Sequence, residues 1–460
     1  MEDELGGLRR THYSSDLGPD LDGRFVTVMG WVLTVRGHGS ITFATIMDKD
    51  GKIQVVAKKG ACPEDVRDRL SSLKAHSSVA VVGTVRASKK SPRGFEIVPS
   101  EVRIFSRVEK TPPFEPVAKT IKNIDTRLEV RPIDLRRSIL QHTFKIRSLV
   151  LQAVRNYFVR EGFTEVNTPK IISSATEGGA ALFSIFYYDK QAFLAQSPQL
   201  YKEQLTMSFE KVFEIAPIFR AESSRTSRHL SEAISIDLEE AFVDYNDVMD
   251  RIESIVKVSA DAARNYVDET ERSGGGGTDI LIPDIPHHIP RYAYGDLIDR
   301  LQNESTRTQW GDDLYPSDLR MLNLKGFYFI VDWPLGPKPF YVKEAAGSGS
   351  GDNGGSNRGG SRNANDNRLH ISESFDLMYG DLELSSGSTR IDRRTEIESR
   401  MKIKGMNTDS FEYHLGAFDY GIPPHAGCGI GLERLMMALT GTANIRDATL
   451  YPRDVDRLVP

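Results

Sequence analysis

The chain has 460 residues, 39% hydrophobic and 27% charged, with a formal net charge of −5. That is room for two or three domains and excludes a disordered or collagen-like composition. No apolar run is long enough to span a bilayer, the acidic start Met1-Glu2-Asp3-Glu4 lacks the apolar core of a secretory leader, and two cysteines, Cys62 and Cys428, exclude a disulfide framework or a cysteine zinc site. A cytoplasmic protein without membrane contact is expected.

Residues 1–112 hold 18 Lys+Arg against 14 Asp+Glu, a surplus of four that leaves −9 for the remainder. If a nucleic acid is a partner, this part is the better electrostatic candidate, although such clusters are commonly just solvated faces. Its apolar runs alternate as short strands at 25–32, 41–46, 53–56, 79–85 and 95–98, with a hairpin signal at Asp48-Lys49-Asp50-Gly51 and a short helix over 66–73. Five strands and one interposed helix predict an OB-type barrel, a fold that commonly binds single strands but also serves other uses. A linker is expected over 113–142, opening on Pro112-Pro113. Apolar residues at 146, 149, 150, 153, 154, 157 and 158 then give a one-faced helix, stopped by Gly162 and followed by a strand that ends at Pro169. Residues 345–367, rich in Gly, Ser and Asn, cannot bury apolar surface and are expected to form a mobile loop inside the domain 143–460.

Five signatures follow in order. Ala175-Thr176-Glu177-Gly178-Gly179 is a glycine-hinged loop with one acid, and Gln196-Ser197-Pro198-Gln199-Leu200-Tyr201-Lys202 comes next. The third runs from Phe219-Arg220-Ala221-Glu222 through Arg228-His229-Leu230 to Asp237 and Glu239, a hairpin bearing two arginines eight residues apart. Arginine presents a planar donor fork suited to phosphate oxygens, and Glu222 can accept from an amine. Gly380-Asp381-Leu382-Glu383 to Ser386 and Arg390 is the fourth, and Gly427-Cys428-Gly429-Ile430-Gly431-Leu432-Glu433-Arg434 the fifth. A surface hairpin with solvated charges, or structural ion pairs, would account for any one of these alone.

The third and fifth signatures resemble the second and third motifs of class II aminoacyl-tRNA synthetases. The helix and proline-ended strand resemble the first, which builds a dimer interface. The whole chain resembles the compact archaeal and eukaryotic type of aspartyl-tRNA synthetase, with only the glycine-rich loop longer than usual. The resemblance implies an α+β protein: an N-terminal OB-fold anticodon domain, and a catalytic domain of an antiparallel sheet flanked by helices. It also implies a homodimer, ATP as substrate, and Mg²⁺.

The roles it implies follow residue by residue. Arg220 would hold the α-phosphate and the reacting carboxylate, with Glu383 and Arg434 as its catalytic companions. Glu222 would take the adenine amine, Arg228 and His229 the outer phosphates, and Leu230, Gly431 and Arg434 the rest of ATP. Glu383 and Ser386 offer hard oxygens to Mg²⁺. Lys202 and Arg390 would clamp the aspartate side chain, two cations that asparagine's neutral amide would leave uncompensated. Glu177, Gln199 and Asp237 are candidates for the α-ammonium group, with Ser386 alongside. Phe43 and Gln54 match the residues that stack on and bond the central anticodon base, while Met47 stands where relatives often carry arginine. Leu33 matches neither the tryptophan of enzymes restricted to tRNA(Asp) nor the histidine of relaxed ones; Pro92 matches the relaxed set. The lean is toward an enzyme that also charges tRNA(Asn), with an amidotransferase downstream. The alternatives are an asparagine-activating relative and, from another class, a nucleic-acid-binding module with a dead site.

Overall fold

The computed structural model describes residues 2–116, 123–173, 182–272, 278–304, 306–346 and 370–460. Glu177 and most of the 345–367 segment lie outside the described residues. The chain divides into two compact units, Met1–Glu115 with Glu269–Gly277, and Pro116–Asp268 with Thr278–Pro460.

In the first unit, β1 (Phe25–His38), β2 (Ile41–Met47), β3 (Lys52–Lys58), β4 (Ser78–Ala87) and β5 (Phe95–Ser106) close a barrel in the order β1-β2-β3-β5-β4, with α1 (Glu64–Ser71) between β3 and β4. Alternation explains the closure: Val26, Val28, Ala44, Ile46, Ile53, Val55, Val79, Val81 and Ile97 point inward and form one core.

The second unit opens with α2 (Ile124–Glu129), α3 (Arg131–Asp134) and α4 (Ser138–Arg160). Part of the stretch read as a linker is therefore helical. Arg127 and Arg131 are buried there rather than solvated. Both bond Asp134, at 2.8 and 2.5 Å, and Arg131 also donates to the carbonyls of Arg446 and Thr449. Local charge reads as linker in sequence; the acid that neutralises it and the carbonyls it clasps decide otherwise. Helix α4 buries Ile146, Val150, Val154, Tyr157 and Phe158 as the spacing predicts, while Leu149 stays 37% exposed; Gly162 at φ +81° follows its end.

Strands β6 (Thr164–Glu165), β7 (Ile171–Ile172), β8 (Ser184–Tyr187) and β9 (Lys190–Leu194) precede α5 (Gln199–Phe209). β10 (Lys211–Phe219), β11 (Glu232–Ala241), α6 (Tyr245–Arg272), β12 (Arg291–Ala293), α7 (Tyr294–Asn303), α8 (Pro316–Leu322) and β13 (Phe327–Val331) follow. The chain ends through β14 (Ser374–Tyr379), β15 (Leu382–Thr389), α9 (Arg394–Ile403), α10 (Glu412–Asp419), β16 (His425–Gly431) and α11 (Leu432–Thr440). Among the described residues, eight strands form one sheet in the order β12-β13-β14-β15-β16-β11-β10-β6, and β7-β9-β8 form a small one. The large sheet is antiparallel except at its two edges, where β12 pairs parallel to β13 and β6 parallel to β10. Its main core joins the sheet to α4, α6 and α11, through residues such as Phe213, Ile236, Leu238, Phe375, Leu377, Cys428 and Ile430. The other face of the central strands is left for the site.

Candidate active site

Ser235, Asp237 and Glu239 alternate along β11 with Ile236 and Leu238, which belong to the core. Their partners on β16 are Gly431, Gly429 and Gly427. The glycines make room for the acids. A Cβ on Gly427 would collide with the Glu239 carboxylate, and one on Gly429 would sit 3.1 Å from Asp237 Oδ1. The glycine repeat thus seats two carboxylates over the sheet.

Two cations reach them. Lys202, on α5, donates from Nζ to Asp237 Oδ1 at 3.0 Å and to the Cys428 carbonyl at 3.0 Å, and lies 3.3 Å from Glu239 Oε2. Arg390, just after β15, donates from Nε and Nη2 to the two Glu239 oxygens at 2.8 and 3.2 Å and from Nη1 to Ser388 Oγ at 2.7 Å. All four charged side chains are buried. Burial works against both cations, but Asp237 and Glu239 outweigh it for Lys202, and Glu239 does so for Arg390, so each keeps its proton more firmly than in water. In the sequence, Glu239 carries no role and the two cations have only the substrate's charge to meet. The structure corrects this: they are already balanced, two against two. Any further carboxylate bound here would have to share donors that now serve Asp237 and Glu239, and Asp237 spends an oxygen on Lys202. Gln199 likewise has its amide nitrogen bonded to Glu203, at 2.5 Å.

At the other end, the loop between β10 and β11 carries Arg220, Glu222, Arg228, His229 and Leu230. Arg220 Nη1 lies 3.9 Å from Glu222 Oε1, both side chains partly exposed. Arg228 donates to Asp381 Oδ1 and to its carbonyl, each at 2.8 Å, and Arg320 takes the second carboxylate oxygen at 2.7 Å. Asp381, at the β14–β15 turn, therefore holds the loop; nothing near Arg228 in sequence announces it. His229 Nδ1 meets Thr226 Oγ1 at 2.6 Å, and burial, then Arg434, push its pKa below the ordinary histidine value. Arg434 donates to the Glu383 carbonyl at 3.0 Å.

Glu383 and Ser386 are three apart on β15, which would put them on opposite faces of a regular strand. A bulge resolves this. β14 pairs Leu377 with Ser385 and Met378 with Glu383, skipping Leu384, so Glu383 and Ser386 both face the cavity. Asp376 lies opposite Ser386, bonded to Lys338 at 3.2 Å. Half of the Glu383 side chain meets solvent, yet the walls around it, and then Asp376, push its carboxyl above the ordinary glutamate value. A carboxylate with a hydroxyl oxygen on one open face, beside a second acid, fits a hard cation shared with phosphate.

These groups converge on one cavity of about 620 Å³. Every residue predicted for aspartate, ATP or metal lines it, apart from Glu177 outside the described residues. A family of class II tRNA synthetases for D, K and N matches residues 123–455, and an OB-fold nucleic-acid-binding family matches 26–105. The chain belongs to the class II aminoacyl-tRNA synthetases.

Among its relatives are the aspartate–tRNA(Asp/Asn) ligases of Methanothermobacter thermautotrophicus and Methanocaldococcus jannaschii. Each is 43% identical; the first alignment covers 99% of this chain and 100% of the relative, the second 98% of both. The fold is similar to asparaginyl-tRNA synthetase from Pyrococcus horikoshii, solved with asparaginyl-adenylate, at 30% identity and a TM-score of 0.85, covering 98% of this chain and 100% of that one. It is also similar to aspartyl-tRNA synthetase from Entamoeba histolytica, at 26% identity and 0.81, covering 99% and 93%.

In the barrel of this synthetase, Phe43 pairs with Val56 and Arg36, and Gln54 with Thr45. Alternation puts Phe43 and Gln54 together on the outer face, half-buried, beside exposed Arg36. The sequence offered no reason to single out Arg36. Leu33 is the extra residue of a bulge, where β1 pairs Val32 with Ile46 and Thr34 with Thr45, and it is buried; Pro92 is exposed. Met47 is buried too, so it brings no polar group to that face.

Proposed function

We propose that this synthetase activates L-aspartate with ATP and transfers it to the 3′ end of tRNA(Asp) and also of tRNA(Asn). The observation that carries the amino-acid choice is the buried Lys202–Arg390 pair at the closed end of the cavity. The aspartate α-carboxylate attacks the α-phosphate, pyrophosphate leaves, and a 3′-terminal hydroxyl of tRNA then displaces AMP. Neither step asks for a covalent protein intermediate; both ask for alignment and neutralised charge.

Arg220, Arg228, Arg434 and neutral His229 meet phosphate oxygens, and Glu222 meets the adenine amine. Leu230 and Gly431 line the nucleotide's side of the cavity. Glu383 and Ser386 would hold a magnesium ion, which supplies charge neutralisation to the phosphates when bound. Lys202 and Arg390 hold the side-chain carboxylate, while Gln199 and Asp237, with Glu177, receive the α-ammonium group. The barrel serves as the anticodon-binding domain through Phe43, Gln54 and Arg36, and two copies pair through α4 and β6. The extension to tRNA(Asn) rests on Pro92 and on the names of the relatives, and it implies an amidotransferase acting on Asp-tRNA(Asn). Charging purified tRNA(Asp) and tRNA(Asn) side by side with labelled aspartate tests this. Comparable charging is expected; a preference above about a hundredfold, some 2.7 kcal/mol, rejects the relaxed reading.

A further inference from the structure

Behind the amino-acid end of the cavity lies a set of buried groups that the reaction does not use. Glu203 on α5, His414 on α10 and His425 on β16 are each 0% exposed. One Glu203 oxygen accepts the Gln199 amide at 2.5 Å. The other faces His414 Nε2 at 3.4 Å and His425 Nε2 at 3.7 Å, approaches too loose for hydrogen bonds, and none of these three atoms has a hydrogen-bond partner among the described residues. The rings are fixed from their far sides. His425 Nδ1 donates to the Pro423 carbonyl at 2.7 Å. His414 Nδ1 accepts the Gln204 amide at 3.3 Å, which assigns its proton to Nε2. The carbonyl of His425 accepts the backbone N–H of Arg390 at 2.9 Å. The cluster thus touches the pocket twice, at the Gln199 side chain and at the Arg390 backbone.

An ionised Glu203 between two neutral imidazoles is a buried, unbalanced charge, which is costly; a proton on His425 Nε2 removes it. The charged groups that also face the cluster are Glu239 and Arg390, themselves paired. We propose that Glu203 and the two imidazoles it faces, His414 and His425, are a positioning group that sets affinity for the amino acid and not for ATP. It rests on the reading that Gln199 and Arg390 meet the amino acid. Burial alone would push the Glu203 carboxyl up, but His414 and then His425 hold it well below the usual range; burial opposes charge on His425, and Glu203 outweighs it. His425 therefore keeps its proton to higher pH than a free imidazole and gives it up as pH climbs beyond the ordinary histidine value of 6.5. Loss of that proton puts a negative charge behind a pocket that takes an anion, so affinity for aspartate falls as pH rises.

Pyrophosphate exchange between pH 6 and 9, with KM measured separately for aspartate and ATP, tests this on wild type, Glu203→Gln and Gln199→Ala. The wild-type aspartate KM should climb with pH while the ATP KM stays flat. Glu203→Gln should raise the aspartate KM about tenfold, leave the ATP KM within about twofold, and abolish the pH climb. His414→Gln, which should raise the aspartate KM likewise, replaces it if Glu203→Gln does not fold. An aspartate KM unchanged in the Glu203 or His414 variant, with Gln199→Ala impaired, overturns the positioning group alone. So does a fall in kcat with both KM values raised together, the mark of a merely structural role. An unchanged aspartate KM in Gln199→Ala overturns the underlying assignment of Gln199.

Discussion

At the amino-acid end of the cavity, Lys202 and Arg390 are 2% and 3% exposed and paired with Asp237 and Glu239; at the phosphate end, the Arg220 side chain is 46% exposed, with Glu222 3.9 Å away. On the proposed function the two ends do different jobs. Telling a carboxylate from an amide of the same shape requires donors held in a dry, fixed geometry, where an unmatched partner is expensive. Binding a triphosphate tail requires positive charge that can be approached and left again, which half-solvated arginines provide. Substitutions at the closed end should therefore damage fold and choice together, and those at the open end chemistry alone.

The largest effect is expected at Lys202. Lys202→Met leaves two buried carboxylates short of a cation, so it should cost about 3–5 kcal/mol of stability and nearly abolish aspartate-dependent pyrophosphate exchange. Adding Asp237→Asn should recover part of the stability and none of the activity, read by denaturant titration beside the exchange assay. Arg220→Ala should lower kcat about 10²–10³-fold with a melting temperature close to wild type, since a half-exposed guanidinium carries little of the fold. Equal loss of stability at Arg220 and Lys202 would erase the contrast.

Glu383 sharpens it further. Its carboxyl is held above the ordinary glutamate value of 4.5, so its charge is unfavourable to the folded state at neutral pH and that penalty disappears in acid. Glu383→Gln should raise the melting temperature at pH 7 while losing most exchange activity and the acid limb of the wild-type pH–rate profile. The smallest effect is expected outside the cavity. Phe43→Ala should raise the tRNA KM by about tenfold, the loss of one base-stacking contact, and leave pyrophosphate exchange unchanged.

Much of this was legible in the sequence because the barrel and α4 are written in local periodicity, and the signature residues in short motifs. What escaped it depends on pairing between distant strands. Gly427 and Gly429 read as a motif, but that they make room for Glu239 and Asp237 follows only from the β11–β16 register. The bulge at Leu384, which turns Glu383 and Ser386 to one face, leaves no mark in β15 itself. Asp381 meets Arg228 across 153 residues, and Arg127 meets Asp447 across 320. Charged residues in a proline-marked stretch look solvated until their buried partners are in view.

On the proposed function, Lys202 and Arg390 at the closed end of the cavity select aspartate. The most direct test is ATP–pyrophosphate exchange by the wild-type enzyme with aspartate and with asparagine, each to saturation. Exchange with aspartate, and kcat/KM for asparagine lower by at least about a thousandfold, is predicted for a site whose buried Lys202 and Arg390 donors a carboxylate oxygen can accept and an amide nitrogen cannot. Comparable values for the two amino acids, or a preference for asparagine, would contradict it.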